Sequence, residues 1–404
     1  MKKTLLILAC AFFSNLDCTD AFTSVFGDKI VGVVEDQVAI KFDYTMPTDV
    51  VNITIVATGT AIQTGGYLKI NTGTNSAGSS IVQSKDSLHY SPGHEGSLFI
   101  TGAFVNGGAA NSHQYVGLFD ANDGWAIGYN GTQFGVLFRR DNGTDTFISQ
   151  ANFNVDKIDG TGASGFDIDP TMLNIFRIVY GWLGAATISF QVCTENQVWV
   201  TFHQILYPNS AIVPSVENPT LPVRTEVTNT GNTTDLEVHS ACWKAGIIGE
   251  SSFLRQFIFV REDKDIMAAN TDYVVCSLRN KTTFPTANPQ PNKKAVDIVL
   301  TVFGTEENFL VKFKLFKNAT LTGASFTDFN ATLSSVETDI AATAYSGGIL
   351  VFSSGAQRDC IKNVYLKNND YKIRLNPGDV LTMVANSPLS NQVADVYVVW
   401  DEIE

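Results

Sequence analysis

The chain has 404 residues, of which 44% are hydrophobic and 17% are charged, and its formal net charge is -13. This length accommodates two or three domains with a sizeable core. An acidic surface repels phosphate backbones and anionic headgroups, so the charge excludes nucleic-acid binding and electrostatic attraction to membranes. The low charge content, together with abundant Gly, Asn, Thr and Ser, is typical of β-domains with many turns.

The first residues have the pattern of a secretory signal peptide. Lys2 and Lys3 precede an apolar run over residues 5–13, and small residues follow at Thr19 and Ala21. This pattern predicts a signal peptide over 1–21 that is cleaved after Ala21; the alternatives are an uncleaved apolar strand or a short anchor. No segment has about 18 uninterrupted apolar residues. We therefore expect an exported protein without a membrane span.

Residues 22–250 predict one β-sandwich domain, and its clearest part is a four-strand meander over 113–149. Short apolar runs alternate there with turn residues. The pair Asn130-Gly131 tolerates positive φ and predicts a tight hairpin turn. Three large apolar residues then alternate along the next strand and share one face, namely Phe134, Val136 and Phe138.

The pattern changes after residue 250. Apolar residues over 251–269 have near-helical spacing, so a short helix and a strand are equally compatible with this stretch. The sequence FPTANPQPNKK then carries three prolines, and we assign 251–294 to a connecting segment. Roughly eight strands follow over 295–404, which predicts a jelly-roll domain. The fold class is therefore all-β, with two antiparallel β-sandwich or jelly-roll domains.

Four cysteines remain after the predicted cleavage, and an even number in an exported chain predicts disulfides. Three connectivities are possible, and the simplest pairs Cys193 with Cys242 and Cys276 with Cys360. Seven Asn-x-Ser/Thr sequons predict glycosylation sites, although chance accounts for several in a chain this rich in Asn and Thr. They lie at Asn52, Asn130, Asn142, Asn232, Asn280, Asn318 and Asn330.

Two sets of residues in the meander are candidates for ligand binding. Trp125 and Tyr129 share one strand face beside an Asp/Asn-rich turn, where their rings could stack on a sugar; the alternative is that both rings belong to the core. Oxygen ligands for calcium are offered by the residues before Gly124, for which turn formation is the alternative role. They are Asp120, Asn122 and Asp123.

The sequence contains no recognisable catalytic or metal-binding motif. There is no nucleophile elbow, zinc-protease helix or phosphate-binding loop, and the five histidines are scattered. No motif places two carboxylates across a predicted cleft, as glycoside hydrolysis requires. We expect a protein that is not an enzyme and has no cofactor, with calcium as the one open alternative.

Several segments resemble uncharacterised structural proteins of phages and large DNA viruses, including fibre and spike types. They are GLFDANDGWAIGYNGTQFGVLFRR, DKIDGTGASGFDIDP, FRIVYGWLGAATISFQV and RLNPGDVLTMVANSPLSNQVADVYVVWDEIE. The resemblance implies a virion-surface or secreted structural protein for assembly or attachment, with other surface proteins as partners. The signal peptide departs from this family. The strand rhythm of the first domain is also similar to a concanavalin-type lectin sandwich, which leaves a secreted carbohydrate-binding lectin as the alternative and a glycan-active enzyme as a third possibility.

The last predicted strand, 394–400, is apolar on both faces. Such a strand is either central in its sheet or covered by a neighbouring subunit. The resemblance to fibre and spike domains, which commonly form trimers, favours the second option. The sequence therefore predicts a homo-oligomer, specifically a homotrimer, built on residues 295–404.

Overall fold

The computed structural model describes residues 34–140, 144–249, 254–305, 310–356, 362–365 and 373–403. The predicted signal peptide, Asn142 and Cys360 lie outside these residues. The all-β prediction is confirmed, since the described residues form antiparallel strands and one short 3-10 helix, Gln150–Asn152. None of the described residues forms a helix that is long and apolar enough to cross a membrane.

The chain divides into two compact units, Met1–Glu250 and Ser251–Glu404. Unit 1 contains sixteen described strands. They are β1 (Val34–Lys41), β2 (Val51–Val56), β3 (Thr60–Thr64), β4 (Tyr67–Asn71), β5 (Ser79–Leu88), β6 (Gly96–Phe104), β7 (Ser112–Phe119), β8 (Gly124–Asn130), β9 (Gln133–Arg140), β10 (Thr144–Ser149), β11 (Asn174–Tyr180), β12 (Ile188–Cys193), β13 (Trp199–Ile205), β14 (Leu221–Asn229), β15 (Glu237–Ser240) and β16 (Cys242–Ile248).

The strands of unit 1 form two sheets. The seven-stranded front sheet has the order β10-β9-β8-β7-β14-β5-β2. The back sheet runs β13-β12-β11-β6. One stretch of β6 then pairs with β16, which pairs with β1, and another stretch pairs with β15, which is followed by β4 and β3. The predicted meander is confirmed as β7 to β10. The tight hairpin between β8 and β9 closes at Asn130 and Gln133, where Gly131 takes φ +59°.

The core of unit 1 lies between these sheets, because alternate side chains of each strand point to the same side. Leu98 and Ile100 of β6 belong to the same buried cluster as Val116 and Leu118 of β7. The intervening residues of β7 therefore point away from the core, on the outer face of the front sheet. They include Tyr115, Gly117 and Phe119.

Unit 2 contains fifteen described strands. They are β17 (Leu254–Ile266), β18 (Tyr273–Asn280), β19 (Thr283–Phe284), β20 (Gln290–Pro291), β21 (Ala295–Gly304), β22 (Val311–Lys317), β23 (Thr320–Thr322), β24 (Thr327–Asp328), β25 (Val336–Asp339), β26 (Ala344–Ser346), β27 (Ile349–Ala356), β28 (Lys362–Tyr365), β29 (Ile373–Leu375), β30 (Val380–Asn386) and β31 (Gln392–Ile403). One large sheet has the order β17-β31-β21-β28, with β29 also on β21, and a second has the order β24-β25-β18-β30-β22-β27. The remaining strands form two pairs, β19-β20 and β23-β26.

The segment 251–294 is not a connector. It supplies β17 and β18, which pair with β31 and β30 inside the two sheets. The near-helical spacing over 251–269 comes from a strand irregularity between Arg261 and Lys264, where Asp263 takes φ +56°. Such a bulge shifts the phase of a period-two pattern, so that its apolar residues mimic helical spacing.

The last strand is central in its sheet, because β31 pairs with β17 on one side and with β21 on the other. Val396, Val398 and Trp400 are buried in the core of unit 2, and the alternate residues are half-buried. Central placement thus accounts for two apolar faces without a neighbouring subunit. The predicted homotrimer stays a prediction.

Candidate functional site

The two aromatic candidates from the sequence point into the core of unit 1. Trp125 has no exposed surface, and its ring centroid lies 4.6 Å from that of Tyr180. Tyr129 is half-buried and packs edge-on against Phe104, with 5.6 Å between centroids. Since stacking on a sugar needs an accessible ring face, the placement of Trp125 corrects the interpretation of these rings as a sugar platform.

The acidic turn before Gly124 uses its oxygens internally. Asp120 Oδ1 accepts hydrogen bonds from the backbone N–H groups of Asn122 at 2.8 Å and Asp123 at 2.9 Å. Asp123 is buried, and its Oδ1 accepts from the Glu217 N–H at 3.0 Å. Among the described residues there is no group of three or more His, Cys, Asp or Glu side chains placed to hold a metal. Turn formation explains the hydrogen bonds that these carboxylates make.

The cysteine pairing differs from the prediction. Cys193, Cys242 and Cys276 are free thiols in the structure. Cys193 ends β12 and Cys242 begins β16, with β11 and β6 between those strands. Three strand spacings amount to roughly 14 Å, which is twice the Cα separation of about 7 Å that a disulfide tolerates. The predicted partner of Cys276, Cys360, lies outside the described residues.

The predicted glycosylation sites differ in accessibility. Asn280 is fully buried, and its Nδ2 donates to the carbonyl oxygens of Lys294 at 2.9 Å and Leu375 at 3.0 Å. A glycan on Asn280 is incompatible with this packing, so that site is corrected. The other described sequon residues are exposed or half-buried, namely Asn52, Asn130, Asn232, Asn318 and Asn330.

A different set of residues forms a candidate site on the outer face of the front sheet. Cross-strand pairing of β10, β9, β8, β7 and β14 brings aromatic and charged side chains together on the side that points away from the core. We call this set the front-face cluster. It comprises His113, Tyr115, Phe119, Arg139, Asp145, Phe147, Arg224 and Glu226.

The base of the front-face cluster is apolar and buried. Phe119 has no exposed surface and packs with Tyr115, 6.4 Å between centroids, together with Ala126 and Leu137. Phe147 of β10 packs against this base and is half-buried. Burial raises the pKa of the Tyr115 hydroxyl, so it stays protonated at neutral pH.

Glu226 organises one side of the front-face cluster. Its Oε1 accepts from His113 Nε2 at 2.6 Å, and its Oε2 accepts from Arg224. Burial by itself would raise the pKa of Glu226, but the bond from His113 and the charges of Arg224 and Arg139 outweigh it and lower the pKa to about 2. The carboxylate therefore stays ionised at neutral pH and acts only as an acceptor.

Arg139 organises the other side. It donates to both oxygens of Asp145, at 2.7 and 3.0 Å, and to the Asp120 carbonyl at 2.9 Å. The guanidinium groups of Arg139 and Arg224 lie over the Phe119 ring, 5.6 and 5.2 Å from its centroid. The accessible rim is formed by His113 and Asp145, whose side chains are 25% and 40% exposed, and by Phe147.

The sequence offered only part of this arrangement. The alternation of charged Arg224 and Glu226 with Val223, Thr225 and Val227 indicates a strand with one polar face. Nothing local pairs Glu226 with His113, however, because they are 113 positions apart and meet only through the register of β14 with β7.

Comparison with known proteins gives likeness only at the level of solved structures. No protein-family model matches the chain, and no curated protein matches it. The legume lectin-like domain of Entamoeba histolytica is 14% identical over 52% of this chain and 97% of its own, with a TM-score of 0.30. The lectin I-B4 of Griffonia simplicifolia in its metal-free form is 14% identical over 52% and 99%, with a TM-score of 0.31. A glycosyl hydrolase family protein of Mycobacterium fortuitum is 12% identical over 52% and 100%, with a TM-score of 0.34. At these identities and TM-scores, none of the three proteins supports assigning its function to this chain.

Proposed function

We propose that the protein binds carbohydrate through the front-face cluster. The observation that carries the proposal is the combination of aromatic rings with fixed hydrogen-bond donors and acceptors on a sheet face that points away from the core. A sugar presents apolar C–H faces and hydroxyl groups that both donate and accept. Binding sites generally pair a largely apolar surface with a few fixed polar groups.

Each part of the cluster has a role in this proposal. Phe147 offers a half-buried ring at the rim for stacking on a sugar face. Asp145 accepts hydrogen bonds from hydroxyls at the rim, and His113 Nδ1 accepts as well while its Nε2 donates to Glu226. Glu226 and Arg224 hold His113 in position. The ion pairs hold these groups in place before a ligand arrives, which lowers the entropy lost on binding.

The ionised state of Glu226 excludes this residue as the general acid of a glycoside hydrolysis at neutral pH. A general acid works best when its pKa lies near the working pH. The pKa of Glu226 is lowered to about 2, so the carboxyl group carries no proton to donate at neutral pH.

Glycan-array binding and calorimetry on the full chain test the proposal. We expect Phe147→Ala and His113→Ala to weaken binding of the best array ligand by about tenfold or more each. Tyr44→Ala is the matched control, because Tyr44 is an aromatic residue outside the cluster with 87% of its surface exposed. Thermal unfolding of each variant verifies its fold. Unchanged binding by folded Phe147→Ala and His113→Ala would contradict the proposal.

Assembly into a secreted or virion-surface structure is a second proposal, and exposed apolar residues of unit 2 favour it. Ile258 and Val260 are 54% and 43% exposed and sit beside Val399 and Tyr397 on the five-stranded sheet. A continuous apolar surface of this kind suits contact with a second copy of the chain. Light scattering on the full chain tests it: Ile258→Lys should lower the oligomer mass, and a wild-type monomer at micromolar concentration excludes the assembly.

A further inference from the structure

The outer face of the back sheet carries a second set of aligned side chains. Strand register places one residue from each of β16, β6, β11, β12 and β13 side by side. We call these residues the back-face row. They are Lys244, Phe99, Arg177, Gln191 and Thr201.

Aromatic surface adjoins the back-face row. Trp199 begins β13, and its ring centroid lies 5.7 Å from that of Phe99 with an interplanar angle of 70°. Both rings are half-buried although they project from the face opposite to the core. Ile175, also on this side, is 46% exposed. The row therefore borders a partly accessible apolar surface against which a flat ring can pack.

Arg177 is the central residue of the row, and its charge is only weakly compensated. The guanidinium lies 5.1 Å from the Phe99 centroid, and 14% of the side chain is exposed. Its contacts are long: 3.7 Å to Glu95 and 3.4 Å from Nε to Ser97 Oγ. Removing a cation from water is unfavourable unless a close anion replaces the lost hydration. Burial accordingly lowers the pKa of Arg177, and Glu95 offsets only part of the effect.

A neighbouring amide is also incompletely bonded. Gln191 Nε2 donates to Thr201 Oγ1 at 2.9 Å, while Gln191 Oε1 is buried and has no hydrogen-bond partner among the residues that the structure describes. Buried acceptors in folded proteins usually have a donor. A weakly paired cation, an acceptor without a donor and two aromatic rings thus lie within one patch.

We propose that the back-face row and Trp199 form a second binding site, which takes an anionic saccharide. The carboxylate or sulfate group of the sugar binds Arg177 through paired hydrogen bonds. The sugar ring packs on Trp199, and a hydroxyl group supplies the donor that Gln191 Oε1 lacks. Lys244, 46% exposed and 3.1 Å from Asp36, lies at the other end of the row and adds positive charge. This site is separate from the front-face cluster, which is on the other sheet.

The net charge of the protein determines the ionic strength at which binding should be measured. A net charge of -13 repels anions at long range, so affinity must come from short-range contacts in the row. Salt of about 0.15 M screens the long-range repulsion beyond about 8 Å and leaves those contacts intact. Calorimetry at this ionic strength, with the full chain, therefore compares three oligosaccharides of equal length: a uronate, a sulfated galactan and a neutral galactan.

We expect the uronate, the sulfated galactan or both to bind at least about tenfold more tightly than the neutral galactan. The difference in affinity between the uronate and the sulfated galactan identifies whether the site prefers a carboxylate or a sulfate. Arg177→Met should remove this preference, and Trp199→Ala should weaken binding of both anionic probes by about tenfold. Phe147→Ala, which alters the front-face cluster, should leave the anionic binding unchanged.

If Trp199→Ala does not fold, Gln191→Ala and Trp199→Phe replace it, with an expected weakening of at least threefold for each. Absence of binding by both anionic probes overturns the proposal. The proposal is also overturned if a folded Arg177→Met variant still prefers the anionic probes, or if Phe147→Ala abolishes their binding. Loss of anionic binding in Phe147→Ala would assign the acidic sugar to the front-face cluster. If the front-face cluster binds no ligand but the anionic probes still bind through Arg177, only the proposed function fails and the back-face site is retained.

Discussion

Two arginines in unit 1 lie over phenylalanine rings on different sheets, and their ionic surroundings differ. Arg139 lies 5.6 Å from the centroid of Phe119, and Arg177 lies 5.1 Å from that of Phe99. Their side chains are almost equally buried, with 11% and 14% exposed. Burial lowers the pKa of both groups, yet bonds to Asp145 raise the pKa of Arg139 above its ordinary value, whereas the pKa of Arg177 stays lowered.

The difference shows that two equally buried arginines can differ in how closely a carboxylate compensates their charge. In the front-face cluster each buried arginine has a close carboxylate, so the charges hold one another in position. In the back-face row the nearest carboxylate contact of Arg177 is 3.7 Å long. The first arrangement stabilises the fold and presents fixed polar groups, while the second retains capacity to bind an anion.

Removing the carboxylate of Glu226 should have the largest effect. Glu226→Gln leaves Arg224, with 11% of its side chain exposed, without its counterion. We expect the free energy of unfolding to fall by about 3 kcal/mol, the loss typical of a broken buried ion pair. Urea denaturation measures it. Asp43→Asn breaks the exposed pair with Lys41 and should cost less than about 1 kcal/mol; equal losses in the two variants would contradict the importance of the cluster.

The same carboxylate predicts a dependence of stability on pH. The pKa of Glu226 is about 2 in the folded protein and 4.5 ordinarily, so its contribution is fully present above about pH 4.5 and is lost as the pH falls toward 2. Each unit of pKa difference corresponds to about 1.4 kcal/mol. We expect wild type to lose more stability than Glu226→Gln between pH 5 and pH 2, measured by denaturation at each pH. Parallel curves would show that Glu226 is not the titrating group.

The two arginines can be compared directly by substitution. Arg139→Met removes close bonds to Asp145, whereas Arg177→Met removes a long contact and a desolvated charge. We expect Arg139→Met to lower the free energy of unfolding by about 1 kcal/mol more than Arg177→Met. Thermal and urea denaturation of both variants provide the measurement. A larger loss for Arg177→Met would mean that Glu95 compensates the charge well.

Thiol labelling of the native protein probes the back sheet with no expected effect on stability. Cys242 is exposed and should react first. Cys276 is buried, and burial raises the pKa of its thiol to about 12, so Cys276 should react only after unfolding. Cys193 pairs across strands with Trp199, so an anionic saccharide on the back-face row should slow its labelling. Peptide mapping that finds a Cys193–Cys242 disulfide would contradict the strand order of the back sheet.

The local periodicity of the sequence was sufficient to predict the all-β class and the meander. It could not decide the role of Trp125, because an alternating strand shows which residues share a face but not which face meets the other sheet. The bulge at Arg261–Lys264 hid β17 by changing the phase of the pattern. Predicting a disulfide between Cys193 and Cys242 failed because their separation depends on the strand order β12-β11-β6-β16.

The candidate sites were less predictable than the fold, since each depends on pairing between distant strands. Glu226 and His113 meet through β14 and β7, and Arg177 and Phe99 meet through β11 and β6. The sequence identifies these residues as members of strands with one polar face. The identity of their neighbours is a property of sheet register, which single-strand patterns do not contain.

The central position of β31 also determines when unit 2 can form. Asp263 of β17 and Asp395 of β31 bond across 132 positions of sequence. At synthesis rates of about 5–20 residues per second, these 132 positions take roughly 7–26 s, so β17 is synthesised that long before β31. During that interval the edge of β17 lacks its partner, and Phe257 and Phe259 lack the core residues that β31 brings. Unit 2 therefore cannot complete this sheet until β31 has been synthesised, and a nascent chain stalled before β31 holds an unpaired apolar strand that is prone to aggregation.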